Sequence, residues 1–574
     1  MESTNEKRVS NVDSLKKVEM TPMGVAMVVF CLVAAGCFGI EEMIPEAGPG
    51  MTILMLILFP FIWGLPISLQ IAEMGSIIPS EGGLLTWCRE TMGEFWGWQA
   101  GFWGGLTIWL SNAEYCVLVA GYIEKYIPMS PTGKYAVEIG MVLLFSFINI
   151  IGIKEVSILD TIFTIATIAA FGAVMVVGFA NWNFNPIEPF YNHEEGVLHS
   201  IGGSIAVCIW MFCGYECISN MAQEVKNPQV IPKGLILSQP IIGLSYVLPT
   251  LAALAAVGSW NKWAVESGDG TVGYIDVLIQ YAGNWAAIAF LVIAVVSNCA
   301  IFSSYIAPGA RLFFVLADDF MFPRGLCKVS RRFKSPHVAI IVLACITIVC
   351  CKLDFETLVM ATTPLQLFLY ILLAVAVLRM RKMYPAEWRK EKGLYVVPFG
   401  KPGLYISIVL SFGISCIAIY LNGIPYFIAS FILMILSLVI YCLCKWRYGG
   451  LVNINEEAYP LNRRTRLGLG DTINIGLFIL IFGVMSLAGA GVFSWYEGSY
   501  GKEYYFEEFG NTVFGNFDLQ VSICLWAGLA MTIAGAAVFY IGLKNEKPLL
   551  KQTEALRKKE RDDMICSLHG WKSL

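Results

Sequence analysis

The sequence predicts an all-α polytopic membrane protein, because of its composition and the clustering of its apolar residues. Of the 574 residues, 57% are apolar and 14% are charged, whereas about 25% of the residues in a soluble domain are charged. The apolar residues form blocks of about 20, the length at which a helix spans a hydrocarbon core of about 30 Å. A bundle of membrane-spanning helices accounts for both observations.

Each apolar block is predicted to be one membrane span, which gives about 14 transmembrane helices. Polar or glycine-containing segments separate the blocks, and a turn at 422–423 divides one long apolar stretch into a helical hairpin. The predicted spans are 21–44, 51–75, 96–123, 135–153, 158–181, 199–222, 234–258, 276–307, 337–353, 357–380, 403–422, 424–446, 472–495 and 520–543.

Basic residues are distributed unevenly between the loops on the two sides. If the N-terminus is cytoplasmic, all but five of the 39 lysines and arginines lie on the cytoplasmic side, where membrane proteins are enriched in basic residues. A miscounted span would exchange the sides of all later loops and remove this asymmetry. We therefore predict an integral protein of the cytoplasmic membrane, with both termini in the cytoplasm.

Several function classes are not supported by the sequence. The 17 cysteines lie mostly inside apolar blocks, where thiols behave as small hydrophobic groups, so neither a disulfide framework nor a metal site is predicted. The chain has no phosphate-binding G-x-x-x-x-G-K-[ST] loop, no zinc-ligand pair and no serine nucleophile signature. We predict no catalytic residue, no cofactor and no nucleic-acid partner, so an intramembrane enzyme is disfavoured.

Two spans contain glycines and carboxylates near mid-membrane. In the first span, segment 36–42 (GCFGIEE) begins about 15 residues in, or roughly 22 Å at 1.5 Å per residue. In the sixth span, segment 210–216 (WMFCGYE) repeats the pattern. Lipid cannot satisfy the backbone groups freed by a helix break, so each break is expected to face protein, water or ligand. Glycines that only permit close helix packing are the alternative explanation.

Breaks in spans one and six are typical of carriers built from two inverted repeats of five helices. A charged tail after the last span is expected to be solvated or to face lipid headgroups, with a short helix in it. The predicted regions are a cytoplasmic N-terminal segment (1–20), a first inverted repeat (21–181), a second inverted repeat (199–380), spans 11 and 12 (403–446), two additional helices (472–543) and a cytoplasmic tail (544–574).

Four glutamates are predicted to lie within the membrane, where each is costly unless it is paired or hydrated. Glu41 and Glu42 either contact substrate or stabilise the start of the half-helix after the first break, an effect of about 0.3 to 1 kcal/mol. Glu114 either carries a proton or belongs to a local polar patch. We consider Glu42 and Glu114 candidates for proton coupling, and Glu216 a candidate for contact with an amine.

The residue types around the breaks favour a cationic substrate. Carboxylates at helix ends compete with a substrate carboxylate for the same backbone N–H groups, so a cationic amine is slightly favoured. Trp109, Trp210, Phe212 and Tyr215 could stack on an ammonium group, a contact worth about 0.5 to 2 kcal/mol. Simple packing of these rings is the alternative.

Four motifs resemble those of the amino acid, polyamine and organocation permease superfamily. They are GCFGIEE at 36–42, AGPG at 47–50, AEMGSIIPSEGG at 72–83 and GYECISNMAQEVKNP at 214–228. The resemblance covers about residues 20–450 and is greatest to the branch that holds polyamine–proton symporters and related bacterial amino-acid permeases. It implies a five-plus-five inverted-repeat core of the leucine-transporter type, with helices one and six unwound, and secondary transport by alternating access.

The resemblance also implies roles for individual residues. Phe212 or Tyr215 would act as a gate, and Glu73, Glu81 and Glu224 would be structural locks on the cytoplasmic side. Cys37 departs from the small Ser, Gly or Pro expected in the first break, and the two helices after residue 460 are additional. The residues implied to bind substrate are Gly36, Cys37, Phe38, Gly39, Ile40, Glu41, Phe212, Cys213, Gly214, Tyr215 and Glu216.

The sequence thus predicts a secondary active transporter, a proton-coupled symporter or an exchanger, of amino acids or related amines. A cationic amine or polyamine is slightly favoured over a neutral or acidic amino acid. A receptor or channel that binds an amine without carrying it is the rival interpretation from another class. The predicted partners are a small-molecule substrate and the lipid bilayer.

Overall fold

The computed structural model describes residues 18–34, 36–124, 127–151, 153–194, 196–263, 272–421, 423–462, 465–497 and 501–573. Regular structure within these residues is helical. Most of the predicted N-terminal segment, up to residue 17, lies outside the described residues, as does one residue of the turn at 422–423.

Among the described residues of the predicted first repeat there are eight α-helices. A short π-helical segment, Pro60–Gly64, joins the third and fourth of them into one span. The helices are α1 (Pro22–Val33), α2 (Ile40–Ala47), α3 (Pro49–Phe59), α4 (Leu65–Ile77), α5 (Leu84–Met92), α6 (Glu94–Glu124), α7 (Pro131–Ile151) and α8 (Ile153–Ala180).

Where the structure describes the predicted second repeat, it has six α-helices. A 3₁₀ segment, Tyr215–Glu224, continues the first of them after a break. The helices are α9 (Val197–Met211), α10 (Ile231–Ala256), α11 (Tyr274–Tyr281), α12 (Asn284–Asp318), α13 (His337–Cys350) and α14 (Phe355–Met383). The predicted span 276–307 thus contains two helices, because Gly283, at φ +88°, separates the short α11 from the long α12.

The remaining helices extend to the end of the described chain. They are α15 (Ala386–Glu391), α16 (Gly400–Leu421), α17 (Ile424–Tyr448), α18 (Asp471–Phe493), α19 (Gly501–Phe509) and α20 (Phe517–His569). Among the described residues, 12 helices are long and apolar enough to cross a membrane, and α1 and α13 are shorter apolar helices. The protein is an integral membrane protein, and the count of 14 crossings stays a prediction.

Several large aromatic side chains are buried inside the bundle, whereas other apolar side chains, both aromatic and aliphatic, lie on its outer surface. Trp63, Trp98 and Trp103 are at most 1% exposed, whereas Phe147 and Val409 are more than 60% exposed. Exposed apolar groups of this kind are stable in contact with lipid tails. We call the side of the bundle at which α1 begins the near face, and the opposite side the far face.

The two additional helices form a closely packed hairpin. A Cβ added at Gly476, Gly483 or Gly535 would lie 2.3 to 2.5 Å from a backbone nitrogen of the other helix. The glycines recur every seven residues on each helix, so they form a stripe along the contact between α18 and α20. Small residues allow helix backbones to approach closely in membranes, which explains the pairing of these two helices.

Buried ion pairs hold the near face together. Glu73, near the end of α4, accepts hydrogen bonds from Arg381 of α14 and from Arg389 of α15. Glu224, at the end of the 3₁₀ segment, pairs with Arg311 of α12. Glu73 and Arg389 are fully buried, so separating such a pair leaves an uncompensated charge. Two of the three predicted lock residues, Glu73 and Glu224, therefore lie in ion pairs, and the third, Glu81, is buried.

The tail differs from the expected solvated segment, since it is continuous with α20 and packs against the near face. The 53 residues of α20 extend about 80 Å at 1.5 Å per residue, far more than a membrane needs. Arg561 donates hydrogen bonds to the carbonyl of Glu90 and to the hydroxyl of Tyr384. The His569 ring lies 3.0 Å from the carbonyl oxygen of Ile77, and burial lowers the pKa of this histidine. The tail thus bridges α4, α5 and the end of α14.

Candidate functional site

The first helix break lies between α1, which ends at Val33, and α2, which begins at Ile40. Gly39 adopts a φ of +93°, and a Cβ there would lie 2.8 Å from the ring of Trp210. Only glycine accommodates both the backbone conformation and this contact. The glycine in the sequence motif therefore allows the ring of Trp210 to lie directly on the broken segment.

The second break lies between α9, which ends at Met211, and the 3₁₀ segment that begins at Tyr215. Gly214 has a φ of +98°, and a Cβ there would lie 2.7 Å from the carbonyl oxygen of Leu32 and 2.5 Å from the hydroxyl of Tyr305. Leu32 belongs to the last turn of α1. The two breaks are therefore in direct contact, and α12 packs against them.

Tyr246 of α10 joins the two broken ends. Its hydroxyl lies 3.0 Å from the carbonyl oxygen of Val33 and 3.0 Å from that of Met211. Both carbonyls lie at helix ends, where a backbone acceptor has no intrahelical donor. Cys37 completes the junction by donating from its thiol to the carbonyl of Ser245 at 3.0 Å. Cys37, which stands where the family resemblance predicts a small Ser, Gly or Pro, thus makes a contact with α10.

Glu216 follows the second break and is held by two uncharged donors of α14. Its Oε1 accepts from the Gln366 side-chain amide at 2.7 Å, and its Oε2 accepts from the Tyr370 hydroxyl at 2.8 Å. The residue is 9% exposed. Gln366 and Tyr370 are four residues apart and lie on the same face of the helix. The carboxylate therefore has a fixed orientation at the start of the 3₁₀ segment.

Glu114 of α6 lies on the other side of the second break and is fully buried. Its Oε2 accepts from the Trp210 indole N–H at 2.9 Å, and its Oε1 lies 2.8 Å from the Thr362 hydroxyl. Within the described residues, neither Glu114 nor Glu216 has a lysine or arginine among its hydrogen-bond or ion-pair partners. A buried carboxylate without a cationic partner is costly, so the arrangement suits a cationic ligand.

Aromatic rings surround the second break. Tyr115 lies with its ring centroid 6.3 Å from that of Trp210 and 5.8 Å from that of Tyr305. Phe212 packs against Phe59 and Tyr246, at 6.0 and 5.1 Å between centroids. Ring faces of this kind attract ammonium groups and cover methylene chains.

The remaining predicted residues of the first break lie in two environments. Ile40 and Phe38 are buried, and Phe38 packs against Phe171 of α8 at 4.9 Å between ring centroids. Glu41 accepts from the N–H of Gly39 at 3.0 Å, which is a local cap at the start of α2. Glu42 follows it and is half-buried.

The predicted aromatic and thiol residues near the second break each contact a different part of the protein. The hydroxyl of Tyr215 points to Gly64, and the ring is fully buried. Cys213 donates from its thiol to the carbonyl of Trp210 at 3.0 Å. Trp109 stacks on Phe313 of α12 at 4.1 Å between centroids, so its ring face is covered by protein. The gating and binding roles of these residues stay predictions.

Four residues of the site are absent from the sequence prediction, namely Tyr246, Thr362, Gln366 and Tyr370. The last three recur every four residues within the apolar block 357–380, which is a polar stripe on one helix face. That stripe is a signal that the sequence carries. Tyr246 has no comparable signal, because a single tyrosine in an apolar block is equally compatible with packing.

Comparison with known proteins identifies the family. A model of the amino acid permease family matches residues 24–429. The chain belongs to the amino acid permease family. The permease is similar to a probable polyamine transporter of Arabidopsis thaliana, with 28% identity over 449 residues, 75% of this chain and 84% of the relative. The predicted superfamily resemblance is thus confirmed.

Two further relatives differ from each other in their named substrates. A polyamine transporter of Oryza sativa subsp. japonica is 25% identical over 437 residues, covering 74% of the permease and 78% of the relative. A branched-chain amino acid permease of Bacillus subtilis (strain 168) is 26% identical over 435 residues, covering 71% and 88%. Each of these two alignments covers most of the length of the relative.

A solved structure is similar in fold. The crystal structure of MhsT in complex with L-phenylalanine aligns with a TM-score of 0.50 and 13% identity, covering 74% of the permease and all of that chain. The predicted leucine-transporter-type fold class is confirmed. The permease is a secondary transporter of amino acids or related amines and not an enzyme.

Proposed function

We propose that the permease carries di- and polyamines across the cytoplasmic membrane, with the near face and both termini in the cytoplasm. The observation that supports the substrate is the pair of buried carboxylates, Glu114 and Glu216, on the two sides of the second helix break. Each is held by neutral donors, and an ammonium group would supply the missing positive charge. The named substrates of the plant relatives agree with this choice.

The proposed substrate site extends over both breaks. Backbone groups of 36–41 and 212–216 line it, Glu216 contacts an ammonium group, and Phe212 or Tyr215 acts as the gate. The contact between Gly214 and Leu32 supports this arrangement, because it brings the two segments together. The distribution of basic residues supports the orientation of the permease in the membrane.

The proposed driving force is a proton gradient or exchange. Glu42 and Glu114 are the proposed coupling residues, since both lie within the membrane. In proteoliposomes, replacement of the coupling residue by glutamine should make amine uptake independent of an imposed pH gradient. Unchanged gradient dependence in both E42Q and E114Q would contradict this part of the proposal.

The substrate proposal is tested by uptake of labelled putrescine, spermidine, lysine and leucine into proteoliposomes. We expect uptake of the two polyamines, and we expect Glu216→Gln to abolish it while the protein still elutes as a folded particle. A bound amine at 100 times its dissociation constant should add about 2.7 kcal/mol of stability, which a thermal-shift measurement detects independently. Uptake of leucine alone would refute the polyamine proposal and favour the function named for the Bacillus relative.

A further inference from the structure

The donors that hold the two site carboxylates lie on one face of α14. Thr362 contacts Glu114, while Gln366 and Tyr370 contact Glu216. Four residues of an α-helix rise about 6 Å and eight residues about 12 Å. The Cα atoms of these donors are therefore about 6 to 12 Å apart along the helix axis, so we place the two carboxylates at a similar separation.

We propose, on the basis of the polyamine function above, that Glu114 and Glu216 bind the two ammonium groups of one diamine segment, and that their spacing along α14 sets its accepted length. Neither carboxylate has a cationic protein partner in the described part of the chain. Two ammonium groups would compensate both charges at once, whereas a monoamine would leave one buried carboxylate without a counter-ion.

The geometry of an extended amine defines the length. Bonds of about 1.5 Å at tetrahedral angles advance about 1.25 Å each, so the nitrogens of a four-carbon diamine are about 6 Å apart. A charge-assisted hydrogen bond adds about 2.8 Å at each end, which gives at most about 12 Å between carboxylate oxygens. An extended four-carbon segment therefore matches the upper end of the inferred spacing, segments of three or five carbons differ from it by about 1.25 Å, and an eight-carbon diamine exceeds it by about 5 Å.

The surroundings suit the methylene chain between the two ends. Trp210 and Tyr115 lie on the side of Glu114, and Tyr305 contacts Gly214 at the break. These rings place apolar surface beside the second break, next to the two carboxylates. The chain would therefore be desolvated against aromatic surface while its two ends are bound by charge.

The test is competition of unlabelled diamines of two to ten carbons, and of butylamine, with labelled putrescine uptake into proteoliposomes. The wild-type permease should bind three- to five-carbon diamines most tightly. Glu114→Gln should weaken putrescine binding about 10- to 100-fold and butylamine binding less than about threefold, because a monoamine uses one carboxylate. Glu114→Asp, a second variant with the charge retained, should move the optimum toward longer diamines by about one carbon.

The matched control is Glu138→Gln. Glu138 of α7 is also a buried glutamate within a span, and its replacement should leave the length optimum unchanged. A wild-type permease that takes up polyamines with no length optimum would overturn this inference alone, whereas a permease that takes up no amine would refute the function on which it rests. An E114Q variant that keeps the wild-type length optimum and affinity for putrescine would also overturn the inference, whether or not its pH dependence changes.

Discussion

Replacing Tyr246 by phenylalanine tests whether the two helix breaks act as one unit. The substitution keeps the ring and removes the hydroxyl that lies 3.0 Å from the carbonyls of Val33 and Met211. Tyr246 is 1% exposed, so water does not replace the lost donor. An unsatisfied buried acceptor costs about 1 to 3 kcal/mol. We therefore expect a loss of about 2 kcal/mol in the free energy of unfolding, or about a 30-fold change in the folded-to-unfolded ratio.

The same substitution should also slow transport. With the hydroxyl absent, the ends of α1 and α9 are no longer tied to α10, so the maximal uptake rate should fall more than the apparent affinity for amine. Denaturant unfolding in detergent micelles measures the first effect, and proteoliposome uptake measures the second. Tyr420→Phe is the matched control, because that hydroxyl donates to a single carbonyl, of Met485, away from the breaks. A Tyr246→Phe variant with unchanged stability and uptake would refute the proposed junction.

Three further predictions concern the near face and the additional hairpin. Glu73→Ala should lower the free energy of unfolding by about 3 to 5 kcal/mol, measured by denaturation, because Arg389 would remain buried without its carboxylate. Gly535→Ala should lower the melting temperature, because its Cβ would lie 2.3 Å from a backbone nitrogen, whereas Gly491→Ala should not, since no atom lies within 4 Å. Docking of the tail should weaken as the pH falls below about 6.5. Burial lowers the pKa of His569 in the docked state, so protonation of this residue favours release of the tail. Hydrogen exchange of the tail should show the pH dependence in the wild type and not in His569→Gln.

The sequence predicted the helical fold because the decisive physical constraint is local. An apolar block of about 20 residues in lipid must satisfy its own backbone hydrogen bonds, so it forms a helix. The pairing of α18 with α20 could also have been predicted, because Gly476 and Gly483 are seven residues apart and lie on one face of the helix. Docking of the tail was not predictable from local pattern, because Arg561 binds a carbonyl more than 450 residues away in the sequence.

The breaks were predictable from the sequence, whereas the partners of the carboxylates were not. Gly39 and Gly214 mark the breaks directly, since both adopt a positive φ. Hydrophobicity does not define which face of a buried helix points to the site, so the contact of Glu216 with Gln366, 150 residues later, needed the three-dimensional structure. The polar stripe of α14, formed by Thr362, Gln366 and Tyr370, is the one sequence signal for the face of this helix that points to the site.

The same two elements that hold the site also carry the near-face ion pairs, which provides a physical route from binding to opening. The 3₁₀ segment Tyr215–Glu224 carries Glu216 near its start, is kinked at Met221 and ends at Glu224, which pairs with Arg311. The two glutamates thus lie eight residues apart on the same short segment. Helix α14 likewise supplies Gln366 to the site and Arg381 to Glu73. A ligand that changes the contacts of Glu216 would therefore act on the segment that carries Glu224 and on the helix that carries Arg381, and we expect opening of the near face to separate both ion pairs.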